Sequence, residues 1–146
     1  MFQTDQRQSQ AIEVRQHPSR MIAFVFGVVY VALGVLGFLV TGFDNFASDT
    51  NESLLGFQVN PLHNLVHLAV GLLGIVMARR TDSARTYGWL LVAMFGATFV
   101  YGLFAAGNRD VNFLNINSAD NVLHFLNVLI GFAIALWPRD RGSAHV

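Results

Sequence analysis

The sequence predicts an all-α protein, a four-helix transmembrane bundle made of two helical hairpins that repeat one another in parallel. Three observations predict this class. The 146 residues are 53% hydrophobic and only 12% charged, whereas soluble domains contain about 25% charged residues. Four long apolar runs follow one another along the chain, and the same polar motif opens the second and the fourth of them.

The four apolar runs have about the length that a helix needs to cross the hydrocarbon core of a bilayer. We predict a membrane domain over residues 20–138, with spans at about 21–41, 62–78, 87–106 and 122–137. Residues 1–19 form a polar N-terminal tail and residues 139–146 a C-terminal tail. The second and fourth spans are short, so their polar first turns must lie near the membrane boundary or inside the bundle.

The distribution of arginine predicts the orientation of these spans. Arginine residues lie before the first span, between the second and the third, and after the fourth. In the other two connections, the charged residues are mainly acidic, with Arg109 as the one arginine. The positive-inside rule then places both termini of this multi-pass membrane protein in the cytoplasm. The arginines concerned are Arg7, Arg15, Arg20, Arg79, Arg80, Arg85, Arg139 and Arg141.

The polar motif is NPLHNLVH from Asn60 in its first copy and NSADNVLH from Asn117 in its second. In each copy the polar residues recur at i, i+3, i+4 and i+7, which lie on one face of a helix. The first and third spans also correspond, because Arg20 and Arg85 occupy the same place before them. The two hairpins therefore point the same way, and parallel repeats are related by an axis along the membrane normal.

Helix capping explains part of each copy. Asn60 and Asn117 are good N-caps, Pro61 suits the first helical position, and Asp120 can complete a capping box with Asn117. Capping does not explain the remaining polar residues, which are His67, His124, Asn64 and Asn121. Glycines of the first span, Gly27, Gly34 and Gly37, mark either close helix packing or a dimer face.

These motifs resemble a family of bacterial four-span integral membrane proteins catalogued as domain of unknown function 4383. The resemblance rests on NPLHNLVHLAVGLLGI followed by a charged AR turn, and on the second copy, NxADNxLH. It covers about residues 21–138. It implies an integral plasma-membrane protein with no established reaction, substrate or cofactor.

Three interpretations of the polar cluster are open. In the first, His67 and His124 hydrogen-bond Asn121 and Asn64 across the axis and hold the helices together. In the second, the cluster binds haem b or a divalent metal, because imidazole is the commonest metal ligand. His67 and His124, with Asn64 and Asn121 near them, would hold haem, and His63, His67, Asp120 and His124 would hold the metal. In the third, the histidines form a proton or small-ligand site.

Other function classes find little support in the sequence. The formal charge is zero, so no basic surface predicts a nucleic-acid partner, and the chain has no cysteine for disulfides or thiolate sites. No HExxH motif, phosphate-binding loop or nucleophile–base pair is present, so we predict a protein that is not an enzyme. Its predicted partners are the lipid bilayer and either a larger membrane complex or further copies of itself, which makes it an accessory subunit or a self-associating protein.

Overall fold

The computed structural model describes residues 17–138, and this part of the chain is mainly helical. Residues 1–16 of the predicted N-terminal tail therefore lie outside the described residues, and so does the whole predicted C-terminal tail, residues 139–146. Within the described range the elements are α1 Pro18–Thr41, β1 Ser53–Leu54, β2 Phe57–Gln58, α2 Pro61–Met77, α3 Thr81–Ala105 and α4 Ser118–Leu136.

Three of these helices, α1, α3 and α4, are long and apolar enough to cross a membrane. The chain is therefore a helical, membrane-embedded protein. Helix α2 is a shorter apolar helix of 17 residues. At 1.5 Å per residue it is about 26 Å long, slightly less than the hydrocarbon core of about 30 Å.

The predicted caps start α2 and α4. The Asn60 side chain accepts the backbone N–H of His63 at 2.9 Å, and the Asn117 side chain accepts that of Asp120 at 2.9 Å. The Asp120 carboxylate accepts the N–H of Asn117 at 3.0 Å in return, which completes the predicted capping box. Both caps are confirmed, and the helices begin one and four residues before the predicted runs at 62 and 122, because the caps supply polar first turns.

Glycines bring the two helices of each hairpin into close contact. In the first hairpin, a Cβ placed on Gly71 would overlap the Val31 nitrogen and would lie 2.6 Å from the Gly27 carbonyl oxygen. In the second, a Cβ on Gly88 would lie 2.7 Å from the Gly131 oxygen. The glycines of α1 thus serve close packing within the hairpin, the first of the two roles predicted for them.

The two ends of the bundle differ in character. We call the end that carries residues 42–60 and 106–117 the loop end, and the end that carries Arg20, Arg79, Arg80 and Arg85 the arginine end. At the arginine end, Arg20 donates its Nε–H to the Ala78 carbonyl at 2.9 Å. Arg85 donates to the Trp137 carbonyl. Each arginine thereby satisfies a carbonyl at the end of its partner helix.

The first connection at the loop end contains the small β-hairpin. Strands β1 and β2 pair antiparallel, with Ser53 opposite Gln58 and Leu54 opposite Phe57. The two turn residues, Leu55 and Gly56, have φ of 56° and 89°, as a tight hairpin turn with the twist of its strands requires. This turn directs the Gly56 carbonyl toward the second connection, where the Asn117 side chain donates to it at 2.9 Å.

Candidate functional site

Three histidines from the two motif copies come together inside the bundle. The ring centroids of His63 and His67, one turn apart on α2, are separated by 4.3 Å. His124 of α4 approaches His63 from the other hairpin, at 6.0 Å between centroids. The exposed fractions of the three residues are 4%, 8% and 3%. We call this group the histidine cluster.

Aromatic and amide side chains surround the histidine cluster. The Tyr30 ring meets His67 edge-on at 5.0 Å, and Phe95 stacks on His124 at 5.6 Å. The Asn127 amide, one turn below His124 on α4, donates to the Tyr30 hydroxyl. Because Tyr30 belongs to the first hairpin and Asn127 to the second, this buried hydrogen bond joins the two hairpins.

The asparagines predicted to pair with the histidines across the axis do not do so. The Asn64 amide donates to the Thr41 hydroxyl of its own hairpin at 2.9 Å, and its side chain fills the space beside Gly37. Asn121 lies in the same way beside Gly102. The predicted His–Asn bonds were wrong because each glycine leaves a gap in the neighbouring helix, and the asparagine side chain occupies that gap.

The two glycine–asparagine contacts correspond between the hairpins. A Cβ on Gly37 would overlap Asn64 Oδ1, and one on Gly102 would overlap Asn121 Oδ1. Gly37 and Gly102 are as far apart in the sequence as Arg20 and Arg85, which precede the first and third spans. Asn64 and Asn121 have the separation of the two motif copies. Each hairpin thus contains one asparagine that lies against a glycine of the neighbouring helix.

Asp120 is held apart from the histidine cluster. Its Oδ2 accepts the backbone N–H of Gln58 at 3.1 Å as well as that of Asn117, so it joins the two connections at the loop end. Among residues 17–138, no three His, Asp or Glu side chains are arranged to hold a metal ion. The predicted metal ligands His63, His67, Asp120 and His124 therefore do not form a ligand set in this arrangement.

The arrangement also bears on haem. A porphyrin held by His67 and His124 would need free space next to both rings. The haem prediction also places Asn64 and Asn121 near it. Phe95 covers a face of His124 and Tyr30 contacts His67, while both asparagines are turned into their own hairpins. Protein side chains thus surround both imidazole rings, and haem binding stays a prediction.

Asparagine side chains close the loop end over the histidine cluster. Asn60 donates to the carbonyl oxygens of Ser48 at 3.0 Å and Phe113 at 2.8 Å. Asn115 donates to the Val59 carbonyl at 2.8 Å. The bonds to Phe113 and Val59 tie the first connection to the second, as do those of Asn112 to Asp49 and Asn117 to Gly56. We call these four side chains, Asn60, Asn112, Asn115 and Asn117, the asparagine lid.

Four atoms of the motif residues remain without a partner among residues 17–138. They are buried side-chain atoms, namely Nδ1 of His63, Nδ1 of His124, Oδ1 of Asn64 and Oδ1 of Asn121. A buried polar atom that lacks a hydrogen bond costs about 1–3 kcal/mol. The two asparagine oxygens lie against Gly37 and Gly102 in their own hairpins, so only the two imidazole atoms leave hydrogen-bonding capacity unused at the histidine cluster.

Sequence reasoning missed two features of this site. Asn127 extends the polar face of α4 one turn beyond His124, at the i+3 spacing that should have drawn attention to it. Asn112 and Asn115 are 1% and 0% exposed, and the density of asparagine between residues 108 and 117 was the available indication. Partners of both lie in the other connection, far away along the chain, which local sequence patterns do not reveal.

The apolar helices and the buried polar cluster between them define a helical integral membrane protein. Within this class, the chain belongs to the family described as Domain of unknown function (DUF4383), whose model matches residues 20–137. The family predicted from the doubled motif is thus confirmed. No curated protein and no solved structure is significantly similar to the chain.

Proposed function

We propose that this protein is a non-enzymatic, four-span protein of the plasma membrane whose buried polar cluster holds two duplicated hairpins together. It acts as an accessory subunit of a larger membrane complex or through self-association. The observation that carries the proposal is the position of the cluster at the contact between the hairpins. His63 of the first hairpin meets His124 of the second, and Tyr30 accepts a hydrogen bond from Asn127.

Matching contacts support the duplication. Besides the glycine–asparagine pairs, the Asn60 amide reaches the carbonyl of Phe113 and the Asn117 amide reaches that of Gly56. Gly56 and Phe113 are separated along the chain by the same distance as Asn60 and Asn117, so the two bonds are reciprocal across the proposed axis. Such reciprocity is expected when two like hairpins face one another about a two-fold axis.

The two ends of the bundle support the orientation. The described part of the arginine end carries Arg20, Arg79, Arg80 and Arg85 with Asp82, whereas the loop end carries Asp44, Asp49, Glu52 and Asp110 with Arg109. Arg109 is itself paired with Asp49 at 3.5 Å. The arginine end therefore lies in the cytoplasm under the positive-inside rule, and both termini lie there with it.

Association with other proteins is the part of the proposal that concerns biological activity. The described helices expose many large apolar side chains on their outer faces, and these surfaces can contact lipid or a partner helix. Apart from Gly96, which meets no atom within 4 Å, the helical glycines that would ease helix–helix approach already pack against neighbouring helices of the bundle. A partner would therefore pack against the branched and aromatic outer faces, not against a glycine stripe.

Cross-linking in native membranes followed by co-purification tests this association. We expect the full-length protein either to retain a defined partner in constant ratio or to form cross-linked multimers of itself. A matched, unrelated four-span protein purified in parallel measures the background. Purification solely as an uncross-linked monomer from membranes at native abundance would contradict the proposal.

Substitution of the histidines separates a structural cluster from a cofactor site. We expect His67→Ala and His124→Ala each to lower the free energy of unfolding by about 2 kcal/mol, because a buried side chain and its packing are lost. Absorption spectra and metal content should be the same before and after the substitutions. Thermal unfolding in detergent measures the loss, and Leu126→Ala, at a position 47% exposed on the same helix, is the control.

Two other outcomes would contradict the structural role. A Soret band in the wild-type protein that disappears in both His67→Ala and His124→Ala would establish haem binding. Stoichiometric metal that is lost in His63→Ala would establish an ion site.

A proton or small polar ligand site is the second candidate, and the partnerless Nδ1 atoms of His63 and His124 favour it. Neutral imidazole carries one donor and one acceptor, so a group between these rings could hydrogen-bond both. Proteoliposomes with an internal pH indicator test the proton alternative. Proton flux in the wild type that is abolished in His63→Ala and preserved in Leu126→Ala would support this candidate; equal flux in all three would contradict it.

A further inference from the structure

A pocket at the arginine end lies between α1 and α2, on the opposite end of the first hairpin from the asparagine lid. Its volume is about 570 Å³. It combines two guanidinium groups with apolar side chains, and the described residues that line it include no acidic one. The lining residues are Arg20, Met21, Phe24, Ile75, Ala78 and Arg79.

The guanidinium of Arg20 is only partly used by the protein. Its Nε–H caps α2 through the Ala78 carbonyl at 2.9 Å. Its Nη1 is buried and has no hydrogen-bond partner among residues 17–138. Arg79, on the exposed rim of the same pocket, adds a second positive charge. A planar, partly desolvated donor next to a second arginine matches the oxygens of a phosphate group.

The apolar side of the pocket continues onto the outer face of α1. Met21 and Phe24 are 51% and 50% exposed, although they belong to a helix apolar enough to cross a membrane. A ligand bound here would thus place its anionic group at the helix ends and its apolar part along the helices. A phospholipid has this combination of groups in this order.

We propose that this pocket binds an anionic phospholipid, with the phosphate on Arg20 and Arg79 and an acyl chain along Met21 and Phe24. Basic pockets between transmembrane helices are a known means of recognising anionic headgroups. The proposal is independent of the histidine cluster and of the association described above. It assigns a lipid site to the first hairpin alone.

The second hairpin offers a matched comparison. Arg85 corresponds to Arg20 in the repeat and likewise donates to a carbonyl at the end of its partner helix, that of Trp137. Arg79 and Leu136 are as far apart in the sequence as the two motif copies, so Leu136 is the position that corresponds to Arg79. Among residues 17–138, the second hairpin therefore keeps the capping arginine and has leucine at the position of the second charge, so Arg85 is the control for Arg20.

Lipid titration of the purified full-length protein tests the site. Native mass spectrometry would follow the binding of phosphatidylglycerol, with phosphatidylcholine and inorganic phosphate as separate arms. We expect a preference for phosphatidylglycerol that Arg79→Gln weakens about fivefold, since one arginine near an anionic lipid contributes about that factor. Arg20→Gln should weaken it at least as much, and Arg85→Gln should leave it unchanged.

Arg79→Gln keeps the proposal testable if Arg20→Gln impairs folding, because the Arg79 side chain is exposed. Equal binding of phosphatidylglycerol by Arg79→Gln and the wild type would overturn the proposal. Retention of phosphatidylcholine equal to that of phosphatidylglycerol would overturn it as well, because the net charge would then be irrelevant. Saturation of the site by inorganic phosphate alone would also overturn it, because the acyl chain would then be irrelevant.

Discussion

Gly71→Ala should destabilise the first hairpin by about 3 kcal/mol, the upper part of the range for overpacking in a well-packed core. The added methyl group would overlap the Val31 nitrogen and would lie 2.6 Å from the Gly27 oxygen. Both atoms are backbone, so neither can rotate away, and α1 and α2 must separate to admit the methyl group. Thermal unfolding of the purified protein in detergent measures the change.

Gly96→Ala is the matched control for this substitution. Gly96 also lies inside a helix, α3, but a Cβ there meets no atom within 4 Å. Alanine should therefore stabilise the helix by about 0.5–1 kcal/mol through its lower backbone entropy cost. Equal stability of Gly71→Ala and Gly96→Ala would show that α1 and α2 do not pack as closely as described.

Asn60→Ala should cost about 2–4 kcal/mol, because one side chain performs two tasks. It caps α2 through the His63 N–H, and such a cap contributes about 1 kcal/mol. It also satisfies the carbonyl oxygens of Ser48 and Phe113 from a fully buried position. The loss of a buried partner adds about 1–3 kcal/mol. Thermal unfolding in detergent measures this change as well.

Asn117→Ala is the corresponding variant in the second motif copy. Asn117 also caps its helix, α4, and donates to one carbonyl, that of Gly56, in an exposed setting. Its loss should cost only about 1–2 kcal/mol, because water can replace the exposed bond. A larger loss of stability in Asn117→Ala than in Asn60→Ala would contradict the buried position of Asn60 in the asparagine lid.

Hydrophobicity and capping predicted the helices because both are local properties. The predicted run at 21–41 corresponds to α1 Pro18–Thr41, and the run at 122–137 to α4 Ser118–Leu136. Helix α3 begins at Thr81, before the predicted span at 87–106, because a helix can continue beyond the membrane into polar residues. Asp82 in its first turn suits the helix dipole.

The candidate site was less predictable, because its contacts depend on the neighbouring helix. The i, i+4 spacing correctly placed His63 and His67 on one face, and the repeat suggested that His124 would face them. The direction of Asn64 could not be derived, since it depends on the gap beside Gly37. The bond from Asn127 to Tyr30 joins residues that are distant in the sequence, and no local pattern encodes such a pair.

Accessibility of single cysteines tests the proposed four-span, two-hairpin topology most directly, and the chain offers a clean background because it contains no cysteine. Ser53→Cys and Asp110→Cys would mark the two connections at the loop end, and Arg80→Cys the turn between α2 and α3; all three positions are exposed. Intact cells would be treated with a membrane-impermeant maleimide. We expect labelling at positions 53 and 110, and labelling at position 80 only after permeabilisation. Labelling of Arg80→Cys on the same side as Ser53→Cys would show that α2 does not cross the membrane and would contradict the topology.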